Sequence, residues 1–189
     1  MNNNMNNYFL QVDQQERINT LVQAESYKYW LGGFAEGEGA LLASLCKNDR
    51  VSNKFVIQPE FNVTQHVNGI NILYSYKVLF NNLGTVHKKS GSEKVWVYSL
   101  KGIDNIENIV IPFFEKYVVP YSCKHNKKPF SEFCYIINKL FINRKKTMDK
   151  KQFIELVKLT YKLNPQGKGK HRKRTLDEVL SIINKAPEK

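Results

Sequence analysis

Cysteine is scarce here, long apolar runs are missing, and acids are few. The 189 residues hold three cysteines and 17 acidic against 29 basic side chains. Each shortage excludes something. Cys46, Cys123 and Cys134 cannot all pair, so a disulfide-stapled scaffold is excluded and a reducing compartment is expected. No apolar run approaches the roughly 20 residues of a membrane span, so no membrane partnership is expected. The polar opening MNNNMNN has neither a charged n-region nor an apolar core, and no secretory signal peptide is expected from it. The histidines, His66, His87, His125 and His171, are scattered, and Cys123-Lys124-His125 lacks a second ligand pair, which leaves no zinc site.

What is present is basic charge, unevenly placed. Between Tyr121 and Arg174 stand 16 Lys/Arg against three acids, Glu132, Asp149 and Glu155, a local +13 in a chain whose total is +12. A basic block on a near-neutral body is the footprint of a polyanion binder, although a merely solvated lysine-rich surface has the same composition. Abundant Asn, Lys and Ile fit an A+T-rich coding sequence and point to an organellar or low-GC genome.

Periodicity predicts an α+β layout. Short helices are expected over Asp13–Ala24 and Lys28–Gly37, then strands over Ala40–Cys46 and Lys54–Gln65 joined by the polar turn KNDRVSN. In the second strand Phe55, Ile57, Pro59, Phe61 and Val63 share one face; Lys54, Gln58, Glu60, Asn62 and Thr64 share the other, which is read as exposed. A helix over Gly69–Asn82 precedes a hairpin, Thr85–Ser90 and Glu93–Leu100, in which Val95 and Val97 alternate with Lys94, Trp96 and Tyr98. Further helices are expected over Ile103–Val118, Pro129–Phe141, Lys150–Leu163 and Leu176–Ile183. The chain thus divides into an N-terminal extension (1–26), a core (27–163), and a basic loop with a C-terminal helix (164–189).

The densest anomaly is Leu31-Gly32-Gly33-Phe34-Ala35-Glu36-Gly37-Glu38-Gly39. Each glycine weakens an isolated helix by ~1 kcal/mol relative to alanine, so something must compensate. A phosphate-cradling loop would need the Lys-Ser/Thr that is absent. Close helix–helix approach through Gly33 and Gly37, four apart on one face, is a second reading. It would leave a glutamate at the negative end of the helix dipole, a place that suits a cation. A glycine-rich turn with surface glutamates is the third.

The run LGGFAEGEG resembles the motif that names the LAGLIDADG homing endonucleases. Leu31 and Gly33 match, Phe34 and Ala35 are apolar replacements, and Glu36 and Glu38 stand at the two acidic positions. The segments Pro59 to Gly69, Lys89-Ser90-Gly91-Ser92 and Val110 to Val119 resemble the Ceu-type organellar rDNA-intron endonucleases. The resemblance implies the αββαββα fold with an antiparallel sheet saddle, in a homodimer joined through its motif helices. It implies a Mg²⁺-dependent, site-specific double-strand DNA endonuclease of a mobile intron, probing a long rRNA-gene site in an organelle. An alternative keeps the fold and directs its basic surface to intron RNA, as a maturase-like splicing cofactor.

Residue by residue, the resemblance puts the metal-binding acid on Glu38, a backbone carbonyl ligand on Gly37 and the water-holding side chain on Gln65. Other single-motif members carry basic residues where this chain has Gly69 and Tyr117, so either nearby Lys116 substitutes or the water network is held differently. The saddle would contact DNA through Lys47, Asn48, Arg50, Lys54, Gln58, Glu60 and Asn62, and through Lys88, Lys89, Lys94, Trp96 and Tyr98. The loop residues Lys168, Lys170, Arg172, Lys173 and Arg174 lie among glycines without apolar periodicity. They are expected to follow phosphates rather than read bases. The chemistry is coherent by itself, because a hard divalent ion prefers few carboxylates and several waters.

Overall fold

The computed structural model describes residues 13–146, 148–163 and 173–186, with the backbone alone at 124–126. The elements follow the expected order. Helix α1 covers residues 13–21. It is followed by α2 (Glu25–Glu38), β1 (Gly39–Lys47), β2 (Phe55–His66), α3 (Ile70–Leu79), β3 (Thr85–Lys88) and β4 (Val95–Lys101). Then come α4 (Ile103–Asn105), a π turn (Ile106–Val110), α5 (Ile111–Tyr117), α6 (Lys124–Ile142), α7 (Lys150–Lys162) and α8 (Leu176–Lys185). The four strands form one sheet in the order β1-β2-β4-β3. The helix expected over Ile103–Val118 exists but is broken by the π turn. Pro129 lies inside α6 rather than opening it.

Two compact units divide the chain. One holds the residues up to Ala40, Asn62–Leu100 and Phe113–Tyr121; the other holds Leu41–Phe61, Lys101–Pro112 and the residues from Ser122 onward. The second is built largely from α6, α7 and α8. Asp149 caps α7 by accepting from the Gln152 N–H (3.2 Å), and Thr175 with Glu178 forms a capping box on α8. Among the described residues no helix is long and apolar enough to cross a membrane.

In the first unit an aromatic cluster fixes α2. Tyr76, fully buried on α3, stacks on Tyr98 (6.1 Å between centroids) and meets Phe113 edge-on (6.3 Å); Phe113 meets Phe80 the same way at 5.3 Å. From this cluster the Tyr76 hydroxyl donates to the Leu31 carbonyl of α2 (2.5 Å). Burial pushes the Tyr76 phenol far above its ordinary value, which keeps it a neutral donor. Leu31, Gly32 and Ala35 form the buried side of α2.

Gly32 has a specific reason to be glycine. A Cβ there would overlap the Tyr117 carbonyl oxygen and come within 3.0 Å of the Tyr117 Cβ. Gly33 and Gly37 differ, being exposed with nothing within 4 Å. Close approach within the chain thus belongs to Gly32, while the Gly33–Gly37 side of the helix stays open.

Gly32→Ala should therefore lower stability by ~1–3 kcal/mol, since a methyl group would have to displace backbone rather than a side chain. Urea unfolding should show its midpoint well below wild type, whereas Gly33→Ala leaves the packing inside the chain untouched.

Candidate active site and nucleic-acid face

Helix α2 runs straight into β1, so Glu38 is the last helical residue and its side chain is exposed. The last carbonyls of a helix have no intrahelical donor, and Gly37 is among them. Glu36 is half-buried and lines an apolar cavity of about 380 Å³ with Tyr29, Gly33, Tyr117, Val118 and Tyr121. The open side of α2 continues through Tyr29 and Trp30, which are 39% and 48% exposed despite their size. Among the described residues no three His, Cys, Asp or Glu side chains converge as a metal cluster. One chain thus offers a carboxylate and a carbonyl at the α2 end, oxygen donors of the kind a hard cation takes.

Gln65 sits near the end of β2 and is half-buried, its Oε1 accepting the His66 backbone N–H (2.6 Å). The following turn is pinned on both sides: His66 Nδ1 accepts from the Asn68 N–H (3.3 Å), and Val67 N–H donates to the Lys94 carbonyl (2.7 Å). A Cβ at Gly69 would lie 2.8 Å from the Gln65 Cγ, so this glycine makes room for the glutamine.

Lys116 does not join these groups. Its ammonium lies 2.7 Å from Glu25 Oε1, and the Tyr117 hydroxyl donates to the same carboxylate at 3.0 and 3.1 Å. Glu25 opens α2 and Glu38 closes it, thirteen residues on and roughly 20 Å along the axis. The expected substitution of a basic group by Lys116 is thereby corrected. Opposite charge at hydrogen-bond distance outcompetes a distant site, and Tyr117 completes the pairing. The Lys116 ammonium holds the Glu25 carboxyl below the usual carboxylate range, and Glu25 in turn holds Lys116 protonated well above its ordinary value.

The sheet face needs a larger correction. Gly102 N–H donates to the Pro59 carbonyl (3.4 Å), and this bond shares one antiparallel register with that between Val67 and Lys94. That register sets Asn62 opposite Ser99, Val63 opposite Tyr98, Thr64 opposite Val97 and Gln65 opposite Trp96. Strand β3 continues the rows, pairing Thr85 with Ser99, Val86 with Tyr98, His87 with Val97 and Lys88 with Trp96. Val63 and Tyr98 are fully buried, so Trp96, Tyr98 and Lys88 share the core-side parity. Val95 and Val97 take the open face instead. Tyr98 cannot touch DNA: its ring stacks on Tyr76 and its hydroxyl donates to the Leu83 carbonyl (2.9 Å). The cause is volume, since a buried tyrosine with a satisfied hydroxyl removes more apolar area from water than a valine.

The other expected face residues are spread unevenly. In β2 the phase Phe55, Ile57, Pro59, Phe61, Val63 is buried as expected. Gln58 is exposed and Glu60 half-buried, pairing with Lys101 at 3.8 Å, but Asn62 is only 6% exposed, a correction to its expected exposure. Ser99, across the register from it, is likewise buried, at 5%. Lys47, Asn48, Arg50 and Lys54 cluster around the β1–β2 turn, where Lys47 pairs with Asp49 (3.1 Å) and Lys54 Nζ donates to the Asp49 carbonyl (3.2 Å). Lys88, Lys89 and Lys94 flank the β3–β4 turn, with Lys88 paired to Glu93 at 3.2 Å. Lys173 and Arg174 are exposed; Lys168, Lys170 and Arg172 lie outside the described residues. Sequence reading put Thr64 on the exposed face of β2 without giving it a contact, and it missed His87 and Lys101. The signal available for Lys101 was its charge, opposite in sign to that of Glu60.

Residues 31–137, more than half of the chain, match the family model described as LAGLIDADG endonuclease. The chain belongs to the LAGLIDADG endonuclease family. It is 35% identical over 130 residues to the DNA endonuclease I-CeuI of Chlamydomonas moewusii, a match covering 69% of this chain and 59% of that protein. The aligned region thus spans under two thirds of that relative. The solved structure of I-CeuI, group I intron-encoded and complexed with DNA, matches with a TM-score of 0.71 at 27% identity, over 95% of this chain and 91% of that one. The archaeal intron-encoded I-Vdi141I, also complexed with DNA, matches at 0.73 and 28% identity, over 86% and 98%. I-CvuI with its target in 2 mM Ca shares the fold at 0.68 and 19% identity, over 93% and 97%. The antiparallel sheet, the helices and the motif at α2 are therefore those of a LAGLIDADG fold.

The pairing of Glu25 with Lys116 has a pH signature. A carboxyl held low in the folded chain contributes stability above its unfolded pKa and loses it as pH falls through the folded value. Glu25→Gln should thus lower the melting temperature at pH 7, and the gap should close below about pH 4.3. Thermal scans of both proteins from pH 3 to 7 measure it.

Proposed function

We propose that this chain is a site-specific double-strand DNA endonuclease of a mobile intron, working as a homodimer with Mg²⁺ on an rRNA-gene target. The observation that carries this reading is the end of α2. An exposed carboxylate at Glu38 and the Gly37 carbonyl sit beside a helix face, Gly33 and Gly37, that is open to a second backbone. A two-fold axis along that face would bring two Glu38 side chains together. Exposed Tyr29 and Trp30 give the same face apolar area to bury.

Hard oxygen donors in small number suit a divalent ion that keeps most of its waters, so Glu38 and Gly37 would hold it. Bound there, such an ion supplies charge neutralisation at the phosphate and an acidified water. The chain's own groups do the rest. With its Oε1 held by the His66 N–H, Gln65 has its amide Nε2 left to donate to the attacking water's oxygen. The helix C-terminus adds negative potential at the carboxylate. Lys47, Arg50 and Lys54 at one turn and Lys88, Lys89 and Lys94 at the other suit phosphates. In the second unit Gln58 and Glu60, and in the first Thr64 and His87, carry groups that can read base edges in a major groove. Residues 27–163 form the endonuclease core in this reading, with 1–26 and 164–189 as flanking segments. Organellar origin is supported by the Asn-, Lys- and Ile-rich composition and by the likeness to endonucleases of Chlamydomonas moewusii and Neurospora crassa.

The deciding experiment is cleavage of a plasmid carrying the intronless rRNA gene, with Mg²⁺ and with EDTA. A double-strand cut in Mg²⁺ alone is expected. Glu38→Gln should slow cleavage by on the order of 10²-fold or more while a gel shift in Ca²⁺ still shows specific binding. A full rate in that variant would remove Glu38 from the site.

The dimer has its own test. Gly33→Leu or Gly37→Leu should give monomers in sedimentation velocity, because a leucine at a close helix crossing forces the backbones apart.

A further inference from the structure

We propose that Trp96 is a positioning residue for Gln65, its indole N–H donating to the Gln65 carboxamide oxygen when the protein holds DNA. The inference rests on the reading of Gln65 as the group that orients water. Among the described residues, Trp96 Nε1 is the buried side-chain nitrogen that lacks a hydrogen-bond partner. A buried donor without an acceptor is costly, and a phenylalanine would fill the same space without that cost. Something must retain the nitrogen.

The strand register names the acceptor. Gln65 stands directly opposite Trp96 on the same face of the sheet, within reach of a long side chain. Of the diagonal neighbours, Val63, Val67 and Val86 are apolar, and Ser90 lies in the turn beyond the end of β3. Lys88, opposite Trp96 on the other side, is a donor only and is already paired with Glu93. Gln65 alone among the strand residues of this set carries a side-chain acceptor. Its Oε1 takes the His66 N–H and has a second lone pair. The backbone around it is pinned by the Asn68 and Val67 hydrogen bonds, and the missing Cβ of Gly69 leaves the side chain room to turn. A glutamine held by both the His66 and Trp96 N–H groups would present its Nε2 in one orientation.

Trp96→Phe removes the donor and keeps a ring. In single-turnover cleavage of the rRNA-gene duplex with Mg²⁺, its rate constant should fall about tenfold. Its Kd for the same duplex in Ca²⁺ should stay within about twofold of wild type. Placed on Gln65→Ala, the substitution should cost nothing further. In ¹⁵N-labelled wild type, the Trp96 indole resonance (told from Trp30 by Trp30→Phe) should shift when the duplex is added with Ca²⁺. In Gln65→Ala it should not. Multiplicative effects of the two substitutions, a Kd weakened in step with the rate, or an unmoved Trp96 resonance would each overturn the proposal. A Gln65→Ala enzyme that cuts at full rate would overturn the role of Gln65 and the proposal with it. In that case metal-dependent cleavage by wild type would leave the endonuclease reading standing.

Discussion

Helix α2 has to be held tightly on one side while its other side stays bare, and the first unit is organised around that demand. The tight side is secured by Gly32 against the Tyr117 carbonyl and by the Tyr76 hydroxyl on the Leu31 carbonyl. Neither contact is a side chain resting on a side chain. One sets a backbone carbonyl against α2 and the other sets a hydroxyl on a carbonyl of α2 itself, and both fail if the helix rotates by a fraction of a turn. Rotation would displace Glu38 and the Gly33–Gly37 face together, since both are carried by the same helix. The Glu25, Lys116 and Tyr117 group holds the far end of that rod, where a small tilt would be magnified at Glu38.

The aromatic cluster serves the same end. Tyr76, Phe80, Tyr98 and Phe113 tie α3, β4 and α5 together beneath α2. Burial of Tyr98 takes it from the open face and gives that face to Val95, Val97 and the polar residues beside them. Valines beside Thr64 and His87 offer apolar as well as hydrogen-bonding contact to a groove. That mixture is what base edges present, with methyl groups beside donors and acceptors. The basic residues stand at the two turns instead, where mobile charge can follow phosphates without fixed geometry.

Much was legible from local pattern. The order of elements, the alternation in β2, the hairpin around Ser90-Gly91-Ser92 and the place of Glu38 at a helix end follow from periodicity and glycine spacing. These act over a few residues. Element ends moved by a few positions, and the π turn left no trace in spacing because its apolar residues keep a helical face. In β4 the alternation was legible but its phase was not: Val95-Trp96-Val97-Tyr98 is apolar on both faces, and pattern alone gives no reason to turn the larger pair inward.

The sequence by itself determined the fold class, the motif with its two acids, and the basic turns, because each depends on residue chemistry at short range. Tertiary structure decided which glycine is crowded, which lysine is engaged and which face of β4 is open. Each of those depends on a partner far away in the chain. Tyr117 meets Glu25 across 92 positions, Tyr76 meets Leu31 across 45, and the β2–β4 register sets Gln65 beside Trp96. A local pattern says what a side chain can do. Only the packed fold says what stands next to it, and so Lys116 came to brace Glu25 while Trp96 came to stand opposite Gln65.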